Sequence, residues 1–422
     1  MHISGHRLSF IITTLLLCLW IIGGCASNAS SPAQTESRVT SSEIASPERT
    51  DSQTSSFEAA DSAVTDSHIS SWATMEPTGH MSLDYATEFS VDYYDGFALI
   101  TIGGTDRYLF IPENVKTPAD LDTDIIPIRK PDTIYLAASA GMDYFRVLKA
   151  LDTVRMTSTQ AVNWSLPEVV QALDSETMLY AGKYSAPDYE LLLREGIDLA
   201  IESTMIYHTP ETKEKIEKLG IPVLVDKSSY EPHPLGRMEW IKLYGLLLGK
   251  TDEADAFYNE QLASLTAVPE LSKMLSSQDS PTVAYFYITS SGYANVRSPG
   301  DYISKMIEMA GGSYAFADAS VSEDSAKATM NMQMEAFLDR ALVSDILIYS
   351  TSIDGEMHSA EELYKKAPML KQSKAASDGN IWITGKNMYQ QSTAVAEMML
   401  ELHAVITGHA DEDELIFLHK LK

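Results

Sequence analysis

Two blocks in which short apolar runs alternate with helical patterns, separated by one long strand-free stretch, constrain this chain more than any other feature. The first block starts at Thr133. Thr133–Ala137 reads as a buried strand, and Met142, Phe145, Leu148 and Leu151 then recur at the three-residue spacing of one helical face. Val154–Thr157, Asp198–Ile201 and the run from Gly220 to Val225 repeat the strand signal, with helices expected over Pro187–Arg194 and Pro210–Leu219. The second block has the same grammar. Strands are expected over Thr282–Thr289, Ser344–Ser350 and Ile381–Thr384, and helices over Asp301–Met309, Met332–Ala341 and Thr393–Ile406. Such alternation forms βαβ units around a largely parallel sheet. The stretch between, from Leu235 to about Leu275, is helical in pattern and interrupted only near Gly249 and Pro269. The expected fold is therefore α/β: two lobes with central parallel sheets, residues 126–230 and 278–422, joined by a long inter-lobe helix over 231–277.

Upstream, Phe89 to Tyr93 alternates apolar and polar positions, Asp95-Gly96 is a hairpin signal, and Phe97 to Ile102 returns. Gly103-Gly104 marks a second turn before Tyr108 to Ile111, which Pro112 closes. A small β ribbon over 81–125 is expected. Residues 26–70 hold 18 Ser or Thr and a single aromatic, Phe57, so they cannot bury enough surface to offset their ordering entropy. A flexible tether over 25–75 follows, with a reach of roughly 40 Å. At the start, Leu8 to Ile22 is apolar but too short to span ~30 Å of hydrocarbon, and it follows Arg7. Residues 1–24 read as an export signal. Ile22-Gly23-Gly24-Cys25 resembles the lipobox of bacterial lipoproteins, which implies cleavage before Cys25 and lipidation of its thiol. The expected location is extracytoplasmic, with the chain lipid-anchored to the bacterial membrane on its cell-surface or periplasmic face.

Charge narrows the partners. With 31 basic and 59 acidic residues the net charge is −28, which repels phosphate backbones and excludes nucleic acid. The two cysteines, Cys18 and Cys25, fall in the signal and at the lipidation site, so no disulfide is expected and stability must come from a core.

The run Gly182-Lys183-Tyr184-Ser185-Ala186-Pro187-Asp188-Tyr189-Glu190, followed by Gly196-Ile197-Asp198-Leu199-Ala200-Ile201, resembles a module of the iron-siderophore and corrinoid substrate-binding lipoproteins of ABC importers. Glu231 to Lys242 resembles the start of their inter-lobe helix, and the likeness covers about residues 125–410. The resemblance implies a class III binding protein that makes and breaks no bond. It has no catalytic residue and no resident cofactor or metal; its ligand is a ferric chelate, corrinoid or haem. Implied partners are an ABC permease with its ATPase, met by a monomer. Each lobe of such proteins offers one exposed glutamate to the permease, here Glu190 and Glu335.

Ligand residues belong on loops at the carboxyl ends of the strands. In the first lobe these loops carry Ser139, Met142, Trp164, Lys183, Tyr184, Thr204, Met205 and His208; in the second, Tyr293, Arg297, Lys386 and Tyr389. Arg237 reaches the cleft from the start of the inter-lobe helix. Aromatic faces and cationic forks suit a bulky anionic chelate. Two alternatives stand beside this reading. Ala137-Ala138-Ser139-Ala140-Gly141 approximates the nucleophile elbow of a serine esterase, and Met205 with His208 suggests a free-metal receptor.

Overall fold

The computed structural model describes residues 71–266, 280–319, 328–351 and 355–422. The signal, Cys25 and most of the tether lie outside them. The body already includes residues before Met81: Trp72 is buried and its amide donates to Asp120 at 2.9 Å.

The expected ribbon is a five-stranded sheet, β1 (Gly79–His80), β2 (Phe89–Tyr94), β3 (Phe97–Ile102), β4 (Asp106–Phe110) and β5 (Ile125–Ile128), paired in that order. The first four are antiparallel, and β5 runs parallel to β4, so the sheet extends to Ile128 instead of ending at 125. One face, with Phe89, Ile100 and Tyr108, joins the main core, and the other packs Leu99 and Leu109 beneath Trp72.

The first lobe follows as β6 (Ile134–Leu136), β7 (Val154–Thr157), β8 (Leu179–Tyr180), a small hairpin of β9 (Gly182–Lys183) and β10 (Ala186–Pro187), β11 (Leu199–Ser203) and β12 (Val223–Asp226). Its main sheet is wholly parallel in the order β12-β11-β6-β7-β8. The chain leaves β6 toward β7 and later returns to β6's other side through β11. The crevice of such a sheet opens at the carboxyl ends of these two strands.

The second lobe contains β13 (Thr282–Ile288), β14 (Ala294–Arg297), β15 (Ser313–Tyr314), β16 (Thr329–Met332), β17 (Ile346–Tyr349), β18 (Ile381–Thr384) and β19 (Leu418–Lys420). Here the expectation of a parallel sheet holds for β13, β17 and β18, while β14, β16 and β19 run antiparallel. The turn from β13 to β14 is too short for a crossover helix, so β14 can only return beside its predecessor. Arg297 thus lies on a strand and not on the loop expected for it.

The expected single inter-lobe helix is broken into Pro234–Glu239, Ile241–Leu248 and Thr251–Thr266. Gly249, at φ 67°, caps the middle segment in the left-handed region that glycine adopts without cost. A side chain at Gly236 would press on the Tyr85 carbonyl, because residues 82–88 cross this helix like a strap. Two buried carboxylates hold that strap. Glu239 accepts from the amides of Asp84, Tyr85 and Ala86, and Glu231 from those of Thr87 and Glu88.

Strap and helix also meet at His233, whose ring stacks on Tyr85 with centroids 4.4 Å apart. Its Nδ1 accepts from the Leu235 amide at 3.2 Å and so caps the helix. Burial, helped by the Lys305 ammonium, holds the imidazole down at about 4, from an ordinary 6.5. The unfolded chain takes up this proton first as pH falls, so His233 withdraws stability between about pH 6.5 and 4. Urea midpoints should drop over that window, and less steeply in His233→Asn; equal slopes for the two proteins would count against this role.

Candidate functional site

The two lobes meet at the carboxyl ends of their strands. Gln390, beyond β18, reaches across: its Oε1 accepts from the Ser165 amide at 2.7 Å and from Ser165 Oγ at 2.6 Å, and its Nε2 donates to the Asn163 carbonyl at 2.8 Å. Ser392 Oγ donates to the Ala140 carbonyl at 2.9 Å. Asp143, at the start of the helix Met142–Val147, accepts from both the amide and the hydroxyl of Thr393. These bonds hold a closed seam, and parting the lobes must break them.

Within the seam, side chains from five places in the chain converge. Arg237, on the first inter-lobe helix, is buried, and its Nη2 lies 3.3 Å from Ser392 Oγ and 3.4 Å from the Tyr389 carbonyl. Its guanidinium sits 4.6 Å from the centre of the Tyr302 ring. Arg297, on β14, approaches the same ring at 5.5 Å and Tyr389 at 5.9 Å. Asp301 holds Arg297 through two parallel bonds of 2.6 and 2.5 Å. The Tyr285 and Tyr389 hydroxyls are 2.7 Å apart, with Ser350 Oγ 3.3 Å from the latter.

Charge and hydrogen bonding are unbalanced here. Arg237 forms no ion pair with a carboxylate among the described residues; Asp226, the nearby acid on β12, is engaged by the Tyr244 hydroxyl and the Ser228 amide. The Tyr302 hydroxyl is buried without a partner. Burial pushes that phenol up to about 12, against the pull of Arg237, so it remains a proton donor. A lone donor beside two guanidiniums is a place for an acceptor carrying negative charge. The space left beside Tyr285, Asn295, Arg297, Thr329, Ser350 and Tyr389 is only about 10 Å³, room for roughly one water. In this closed form it is far below the roughly 300–1,000 Å³ of a small-molecule pocket.

Of the ligand residues expected from sequence, the structure brings Arg237, Arg297 and Tyr389 together. Met142 is fully buried in the core, where its helix turns it inward. Trp164 is buried with its indole N–H on the Thr159 carbonyl, beside the seam. Ser139 is half-buried beside the seam, and no described bond joins it to a histidine. Tyr184 packs on the outer core of the first lobe, and Lys183 is exposed on the β9 strand. Met205 and His208 are exposed on a short helical turn, with Thr204 half-buried before them. Tyr293 is exposed in its turn, and Lys386 pairs with Glu356 at 2.5 Å on the surface. Sequence reasoning missed Tyr285, Tyr302, Ser350 and Gln390. Only Tyr302 had a local signal, as the first residue after the helix cap Asp301. Glu190 and Glu335 are both exposed in the first turn of their helices, Tyr189–Arg194 and Met334–Ala341.

Two α/β lobes that close a donor-lined seam are the build of a two-lobe receptor for a small ligand. The chain belongs to the periplasmic binding protein family, whose sequence model matches residues 138–388. An uncharacterized lipoprotein of Methanocaldococcus jannaschii is 22% identical over 352 residues, which is 80% of this chain and 86% of that protein. Among solved structures, a periplasmic haem-binding protein from Pseudomonas aeruginosa superposes with a TM-score of 0.55 at 15% identity, covering 69% of this chain and 98% of that one. The petrobactin-binding protein of Bacillus subtilis gives 0.52 at 14% identity, with 66% and 93% covered. At these identities the likeness establishes the shared fold. The residues before 138, including the whole strap and its sheet, lie outside the family match.

Proposed function

We propose that this protein is the extracytoplasmic substrate-binding component of an ABC importer. It captures a metal chelate bearing anionic oxygens, of the siderophore, haem or corrinoid kind, and delivers it to a permease and its ATPase. The observation that carries this reading is the buried Arg237, free of a carboxylate partner among the described residues, against the ring of Tyr302, whose hydroxyl is buried without a described partner. Family membership and the haem- and petrobactin-binding neighbours support the choice of ligand class. Lipidation at Cys25 tethers the body to the membrane, in keeping with the lipoprotein relative. Among the described residues no helix is long and apolar enough to cross a membrane.

A panel of ferric catecholate and carboxylate chelates, haemin and cobalamin, titrated against the tryptophan fluorescence of the purified protein, tests the reading. One ligand should bind at equimolar stoichiometry, and Arg237→Gln should weaken it about 10- to 100-fold, the worth of a charge-assisted hydrogen bond. If no chelate binds, or if the variant binds as tightly as the parent, the assignment fails.

A further inference from the structure

The first lobe buries an acid that makes none of the bonds described across the seam. Glu202, near the carboxyl end of β11, has no exposed surface, and neither carboxyl oxygen has a hydrogen-bond partner. It shares a sheet face with Ala200, two residues earlier. In register it lies across from Val225 on β12, while Tyr135 of β6 lies across from Ala200. The core on this face is apolar: Ala181 precedes the β9–β10 hairpin, Leu192 comes from the helix Tyr189–Arg194, and Ile216 comes from the helix Pro210–Lys218.

Among the described residues no cation pairs with the acid. Tyr135 is the titratable neighbour from β6, with Tyr180 of β8 and Tyr189 of the covering helix beyond it. The helix Pro210–Lys218 turns Ile216 and Thr212 inward and spends Lys213 on Glu217 and Lys218 on Glu214. Lys215 lies 5.8 Å from the centre of the Tyr189 ring, and Lys183 of the hairpin is exposed.

We propose that Glu202 is a proton-controlled latch: uncharged, it lets the β9–β10 hairpin and the helix Tyr189–Arg194 seat over β11, and ionised, it drives that cover open to admit water. An unpaired carboxylate in an apolar site is strongly disfavoured, whereas the neutral acid is tolerated. Burial accordingly pushes Glu202 up to about 8 from 4.5. Opening restores the ordinary value and releases a proton, so the open population grows about tenfold per pH unit between roughly 4.5 and 8, then levels off. The segment that moves carries Glu190, so pH acts on an exposed surface of the lobe.

Amide hydrogen exchange of the intact protein, followed in peptides covering residues 181–198 and corrected for intrinsic rates, reads this opening. From pH 6 to pH 8 the opening equilibrium should rise about 50-fold in the parent and stay nearly flat in Glu202→Gln. Parallel curves for the two proteins would overturn the latch. Carbon NMR of the Glu202 carboxyl in the unmutated protein gives a second test that does not depend on the variant folding: a midpoint near 8 supports the proposal, and one below about 5 ends it.

Discussion

Replacing Glu239 by alanine should destabilise the fold by about 3–5 kcal/mol, the loss typical when one partner of a buried ion pair is removed. Glu239 is fully buried, and its two oxygens accept from the amides of Asp84, Tyr85 and Ala86 and from the Lys242 ammonium at 2.8 Å. The substitution strands three backbone donors and a cation that is itself nearly buried. Its effect should reach beyond one contact, because the strap seats the amino-terminal sheet on the helix that leads from one lobe to the other. Urea unfolding is the measurement, with an unchanged slope and a lower midpoint expected for the variant. Lys242→Met in the same background should recover part of the loss by removing the unpaired charge. A stability within about 0.5 kcal/mol of the parent, the ordinary scale of surface substitutions, would show that the strap is held by something other than this carboxylate.

The second large effect is expected in transport. Reversing Glu190 and Glu335 together to lysine should abolish ligand uptake in cells while leaving solution affinity for the chelate unchanged. Each glutamate sits exposed in the first turn of a helix that precedes a parallel strand central to its lobe, β11 in one and β17 in the other. In the first lobe the turn is anchored by Asp188, which accepts from the Leu191 amide at 3.0 Å. Paired carboxylates on the two lobes suit charge-assisted docking that orients the receptor and then releases it. Carboxylates in a first turn also complement the helix dipole, worth about 0.3–1 kcal/mol, so a small loss of stability should accompany the reversal. Normal uptake by the double variant would remove the docking role.

Much of the fold was legible because periodicity is a local property. Strands β6, β7, β17 and β18 and the helices Tyr302–Met309 and Pro210–Lys218 fall within a residue or two of their expected ranges, since each is a short run whose burial pattern follows its own spacing. The inter-lobe segment was legible as helical but not as broken: the Gly249 cap was visible, whereas the break at Trp240 accompanies a side chain that donates to Glu231, nine residues back. Strands β14 and β16 were missed because Asn295, Arg297 and Asn331 are poor strand signals, and they become strand residues only by pairing with each other across the sheet.

The site divides in the same way. The chain's own sequence determined two α/β lobes, a helical connection without crossing strands, and an acidic body without disulfides, because apolar spacing and charge count act over a few residues or over the whole composition. The tertiary structure alone decided that Arg237, Arg297, Tyr302 and Tyr389 share one seam, that Met142 is buried in the core, and that Glu202 is shut away from water. Those residues are separated by tens to hundreds of positions, and what joins or isolates them is the closing of one lobe on the other and the packing of helices over a sheet. No local period records that a polar side chain will lose its water, and it is that loss which gives Arg237 and Glu202 their chemistry.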